Sequence, residues 1–371
     1  MDEYKINVDL NTSLLHHLTN ATDFSEEEIK QVAALINSNP EEASKYFSLH
    51  FFHILDTEKN ELLSEIYESR CKFRDRLFET WNAPLKRLDT LLYMCTEIVE
   101  ELREGVTHNS SAYTNKFNIA TRLQARCVQV GNEISHLLHG GYADGAFARW
   151  RTLHETSVTA IFICEGDEDL ASRFLNFQHA ARISAAKKFN NNNQLGFDDF
   201  SDERLAQMTL EQEQIVGKYE PSFKNKFGWA LKALGKAKHP DSAANFVDIE
   251  KFVDMSFLRN HFSFANQYVH AGIDSIGYKL GTSMSNKDLL LVGPSNEGLI
   301  EPIQCTSLSL VYATIALITA FPNDESPMRI SALRLWHEIM KQELIVADSA
   351  LQAKGDALRK PHSEMLNPNK D

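Results

Sequence analysis

The sequence predicts an all-α fold, a multi-helix bundle with at most a small β-hairpin near residues 273–298. Three observations carry this expectation. The chain has only 16 Gly and 10 Pro in 371 residues, so the residues that punctuate turns between short strands are scarce. Apolar residues recur every third or fourth position over long stretches, while little of the chain alternates with period two. Helix-start chemistry stands before these stretches, as at Ser25-Glu-Glu-Glu28, Asn39-Pro40 and Ser201. With 43% hydrophobic residues and 22 Phe, the chain can fill a core rich in aromatic rings.

Residues 1–23 have weak periodicity and read as a loosely packed arm. A helix is expected from Ser25 to about Asn37. The next starts at Pro40, with Glu41 and Glu42 at the positive end of its dipole. Its periodicity runs through Phe47, Phe51, Ile54, Leu62, Ile66, Phe73 and Leu77 to Trp81, and Pro84 is expected to open a further helix ending near Gly105. The polar loop from Thr107 to Tyr113 divides an N-terminal helical region, 1–106, from a C-terminal helical domain, 114–351.

In the second part helices are expected over 115–138, stopped by Gly140-Gly141, and over 142–164, 167–189, 201–216 and 223–237. A long helical segment then starts at Asp241 or Ser242 and runs through Leu258–Gly272. The Gly-rich stretch that follows, with the run Leu289-Leu-Leu-Val292, fits two short strands or a hairpin. Pro302 to Asn323 has no charged residue, long enough to span a bilayer. Gln304, Thr306, Ser307 and Ser309 interrupt it and no Lys/Arg cluster flanks it, so a central helix buried on nearly all sides is expected and no membrane association. An amphipathic helix over 326–351 and a disordered tail over 354–371 close the chain.

Net charge is −13, without the basic footprint of a protein that binds long duplex nucleic acid. Arg173, Arg182, Lys187 and Lys188 form a local basic stretch that reads as a solvated helix face. Five scattered cysteines with no C-x-x-C pair argue for a reducing cytoplasm. The start, Met-Asp-Glu-Tyr-Lys, has no apolar run of the secretory kind. Phosphate-binding, dinucleotide and nucleophile-elbow motifs are absent from the sequence. His50-Phe-Phe-His53 and His136-Leu-Leu-His139 have a chelating spacing but lack a well-placed carboxylate, so neither a metal nor another cofactor is expected.

The chemistry concentrates in two segments. Read as a helix, Leu258–Gly272 puts Arg259, Ser263, Asn266 and His270 on one face, and Trp150–Glu155 puts Arg151, His154 and Glu155 on another. If these faces meet, Arg151, Glu155, Arg259 and His270 form one cluster. It has two readings. An imidazole that moves a proton beside guanidiniums that hold an anion is a reaction centre. A set of mutually paired buried charges is a structural network.

Ala148-Arg-Trp-Arg-Thr-Leu-His-Glu155, Tyr268-Val-His-Ala271 and Gly293-Pro-Ser-Asn-Glu-Gly298 before an apolar helix resemble a bacterial family of uncharacterised helical proteins, over roughly residues 120–345. That family is known by a domain-of-unknown-function label and supplies no reaction. The resemblance implicates Arg151, Glu155 and His270. A weaker likeness is to HEPN-type ribonucleases, in which Arg, a polar residue and a His a few positions on cleave RNA without metal. Arg173 and His179 stand in that order, with Phe174 where the pattern has a polar residue. Arg259-Asn260 has the polar follower, but His261 is too near and His270 too far.

Two functions follow as expectations. The first is an intracellular bacterial effector or toxin-like protein in phage defence that cleaves RNA. There His270 or His179 transfers the proton, Arg259 or Arg173 holds phosphate, and Glu155 orients. The second is a non-catalytic interaction or sensor module, in which the cluster is structural or binds a small anionic ligand. Its N-terminal helices recruit a protein partner and the chain forms a homo-oligomer.

Overall fold

The computed structural model describes residues 27, 30, 31, 34, 38–107, 113–282 and 290–366. The expected N-terminal arm, the Ser25 capping box, most of the loop over 107–113 and Leu289 lie outside the described residues. Among the described residues, ten α-helices and several short 3-10 turns make up the fold, and no strand occurs.

The first helix, α1, runs from Pro40 to Thr107 without a break. Asn39 caps it by accepting from the Glu42 N–H at 3.3 Å. The expected start of a new helix at Pro84 does not occur; Pro84 sits inside α1 and is buried. A proline inside a helix costs about 3 kcal/mol. Here Leu77, Trp81, Leu85, Leu88 and Leu91 around it are fully buried, and their packing outweighs that cost. The chain forms two compact units, Met1–Phe73 and Arg74–Asp371. The buried leucine stripe of α1 begins at Leu77, in the second of these units.

In the second unit, α2 spans Asn115–His139, α3 Ala143–Glu165, α4 Glu168–Asn191 and α5 Asp202–Val216. Their starts follow from side-chain caps at Thr114, Asp167 and Ser201, each accepting from a first-turn N–H. Gly141 takes φ +75°, which lets the chain reverse between α2 and α3.

The expected helix over 223–237 is replaced by 3-10 turns at Pro221–Lys224 and Gly228–Ala230. Phe227 is left-handed at φ +54°, and a Cβ on Gly228 would lie 2.0 Å from the Phe223 carbonyl oxygen. This tight turn drives Trp229 between Phe162 and Phe174. The long helix expected through 241–272 is also broken. It becomes α6, Phe246–Phe252, a turn with Asp254 at φ +54°, and α7, Arg259–Ala265, which tightens to 3-10 at Asn266–Tyr268.

The expected hairpin does not form among the described residues. A short α8, Ile273–Gly277, is followed by a 3-10 turn at Leu280–Thr282 and irregular chain. Backbone groups here pair with the α2–α3 corner instead of a ladder: Leu280 N–H donates to Asp144 at 2.7 Å and Ser295 N–H to the Gly141 carbonyl at 2.9 Å.

The apolar run forms α9, Ile300–Ala320, long and apolar enough by composition to cross a membrane. In this fold it packs on α2, on α3 and on α10, Ser326–Leu366. Two of its polar side chains find partners inside the protein: Gln124 donates to Thr314 at 2.6 Å, and Ser307 lies 2.9 Å from His337. Helix α10 continues to Leu366, past the expected end at Leu351, and its Lys354 reaches Glu79 of α1 at 3.5 Å.

Candidate functional site

Helix α3 is the hub of the second unit, packed against α2, α6, α7 and α9. Its Phe147, Trp150 and His154 recur at helical spacing and are fully buried. Trp150 fixes the rotation of α3 by donating from Nε1 to the Cys305 carbonyl and to Ser309 Oγ, both at 3.0 Å.

Opposite this face lies α6. Its Asn245–Asp248 capping box sets the helix start, and the Met255 N–H closes its end on the Glu250 carbonyl at 3.0 Å. Glu250 is thereby aimed at α3. His154 Nε2 donates to Glu250 Oε1 at 2.8 Å, and Arg259 Nε donates to Oε2 at 2.6 Å. The His154 and Glu250 side chains are both 0% exposed. Trp150, Phe246 and Phe262 ring the imidazole at 5.2–5.8 Å between centroids. Arg259 lies over Phe246 and Phe262, and Arg151 lies 4.5 Å from the Phe262 centroid on the outer side of the cluster. Arg151 Nε is buried without a hydrogen-bond partner, as is His154 Nδ1.

The structure therefore brings together His154, Glu250, Arg259 and Arg151. The expected meeting of Arg151, Glu155, Arg259 and His270 is not what forms. Among the described residues Glu155 pairs with Arg151, at 3.5 Å, and it is 49% exposed. His270 lies beyond the 3-10 turn that ends the helix, and it is exposed. No hydrogen bond or ion pair joins it to Glu155 among the described residues. The reason is local: the face that would carry His270 at the eleventh position after Arg259 is lost when the helix tightens at Asn266.

Arg173 and His179 do not form a pair either. Arg173 is 3% exposed, bonded to Glu220 and to the Trp229 carbonyl, and stacked on Tyr219 and Phe223. His179 faces Glu211 at 3.5 Å. Arg182, Lys187 and Lys188 remain exposed on α4 while Arg173 turns inward. Of the chelating pairs, His139 is held by Asp89 at 2.9 Å and His136 is exposed. Among the described residues no three His, Cys, Asp or Glu side chains gather as a metal site.

Sequence reasoning noticed His154 as a neighbour of Arg151 but not as the centre, and it missed Glu250. In the run Val-Asp-Ile-Glu-Lys, Glu250 looks like a solvated charge. The usable signal was the Asn245–Asp248 capping box at the start of α6, which fixes which side of that short helix faces in.

Residues 117–288 match the model of a family of unknown function (DUF5677). The matched span contains Arg151, His154, Glu250, Arg259 and His270, and it ends before the Gly293–Gly298 motif. No curated protein and no solved structure matches the chain.

Proposed function

We propose that the chain, built around a core whose family has no assigned function, is a non-catalytic helical interaction or sensor module. Its His/Glu/Arg cluster holds α3, α6 and α7 together. The observation that carries this reading is the complete burial of His154 and Glu250 against each other. A general acid or base must come within about 3 Å of the proton it moves. A ring enclosed by Trp150, Phe246 and Phe262 leaves a polymer substrate no approach. The guanidiniums that a ribonuclease would use for phosphate are engaged elsewhere, Arg259 by Glu250 and Arg173 by Glu220. The net charge of −13 also disfavours a polyanionic substrate. Arg151, partly exposed, with an unpartnered Nε and a long contact to Glu155, is the group suited to a small anion. The interaction surface is the first unit's stretch of α1, where Phe52, Leu55, Leu62 and Ile66 stand exposed.

The test is incubation of the purified chain with total RNA in EDTA, beside His270→Ala and Arg259→Ala variants. Intact RNA in every lane is expected. Cleavage by the wild type that His270→Ala abolishes would favour the defence-effector reading and overturn this one.

A further inference from the structure

We propose that two copies of the chain pair through residues 52–73 of α1 as an antiparallel coiled coil. This names the partner for the surface just described and rests on that reading. Phe52, Leu55, Leu62 and Ile66 are 66%, 43%, 44% and 44% exposed on one continuous helix. They fall on a three–four spacing with Lys59 at the one intervening position and Ser69 at the position that follows Ile66. In heptad terms Phe52, Lys59 and Ile66 occupy a, and Leu55, Leu62 and Ser69 occupy d. Leu49 and Leu63 at e and Phe51 at g widen the apolar stripe, and all three are exposed.

Lys59 decides the orientation. In a parallel pair each a residue faces its own copy, so two Lys59 ammonium groups would meet in the seam. In an antiparallel pair a faces d. Setting Leu62 against the partner's Ile66 sets Lys59 against the partner's Ser69, a small hydroxyl that can accept from it. The same register puts Glu58 beside the partner's Lys72 and Asp56 beside the partner's Arg70, each pair occurring twice by symmetry. Other registers are worse. The proposed register sets Glu65 against the partner's Glu65 once, across the two-fold, whereas sliding one heptad one way brings Glu58 against the partner's Glu65 twice, and sliding the other way brings Lys59 against the partner's Arg76. Within one chain Asp56 pairs with Lys59 at 2.5 Å and Lys72 with Glu68 at 2.6 Å. These are exposed one-turn pairs that exchange partners at little cost. Three heptads are near the minimum for a coiled coil, so the pairing is reversible and concentration-dependent.

The full-length chain carrying Cys71→Ser is followed by sedimentation velocity from about 1 to about 100 µM, the range expected for so short a seam. A dimer that builds up over this range is expected, and Leu62→Glu with Ile66→Glu keeps the chain monomeric with its helical circular dichroism intact. Glu58→Lys weakens the dimer roughly three- to tenfold, and adding Lys72→Glu restores it. When a Leu62→Cys chain and an Ile66→Cys chain are mixed and oxidised in glutathione buffer, the mixed disulfide predominates. A chain monomeric at the top concentration, a dimer that survives Leu62→Glu with Ile66→Glu, or a predominance of 62-to-62 disulfide overturns the proposal. A monomer that leaves RNA intact overturns the pairing alone; a dimer that cleaves RNA overturns the module reading alone.

Discussion

His154 and Glu250, 96 positions apart, meet at 2.8 Å with neither side chain reaching solvent. Arg259 takes the second carboxylate oxygen. Removing one partner of such a set leaves the others buried and unpaired, which costs more than the pairing itself contributes.

Glu250→Ala is therefore expected to lower stability by about 3–5 kcal/mol. Glu155→Ala, which removes a half-exposed pair on the same helix as His154, is expected to change it by at most about 0.5 kcal/mol. Denaturant midpoints measure both. Equal midpoints for the two variants would mean that the buried cluster does not hold the fold.

Arg173 is clamped by Glu220, the Trp229 carbonyl and two aromatic faces. Lysine keeps the charge but not the planar stack, so Arg173→Lys should cost about 1–3 kcal/mol by the same measurement. A wild-type midpoint would contradict this assignment.

Four of the five cysteines are buried and only Cys71 is exposed. Burial pushes the Cys95 and Cys164 thiols up to about 12, and it raises Cys127 and Cys305 as well. Thiolate is the reactive form. A thiol reagent at pH 8 should modify one group rapidly in the native chain, all five in denaturant, and none rapidly in native Cys71→Ser.

Burial holds the His337 imidazole below its ordinary value, an effect of Lys341 in the same direction being opposed by Glu338. The unfolded chain then binds more protons than the folded one as pH falls through about 6.5. The stability this group contributes is complete above that value and is lost on acidification below it. Unfolding temperatures of wild type and His337→Gln between pH 7.5 and 5 test the point: the wild type should fall more steeply. Parallel curves would remove His337 from the acid response.

The Asn39 and Ser201 caps, the Gly140-Gly141 stop and the apolar periodicity made the long helices legible, α2 to α5 almost to the residue. Caps and periodicity are local, so neighbouring residues suffice to read them. The misreadings fall where distant contacts prevail over local preference. Pro84 should end a helix, but Trp81 and Leu85 are buried on either side of it. Residues 223–237 have helical composition, but Gly228 packs on the Phe223 carbonyl and turns the chain. The segment holding Arg259 and His270 reads as one helix, but it tightens at Asn266 and leaves His270 outside.

The sequence by itself determined the all-α class, the starts of α1 to α5 and the wealth of Arg, His and Glu around α3 and α7, because each depends on residues within a few positions of one another. Only the tertiary structure decided that His154 pairs with Glu250 and not His270 with Glu155. That choice depends on which short helix ends where and which side it turns inward, and those are settled by burying Phe246, Phe262 and Trp150 around one imidazole.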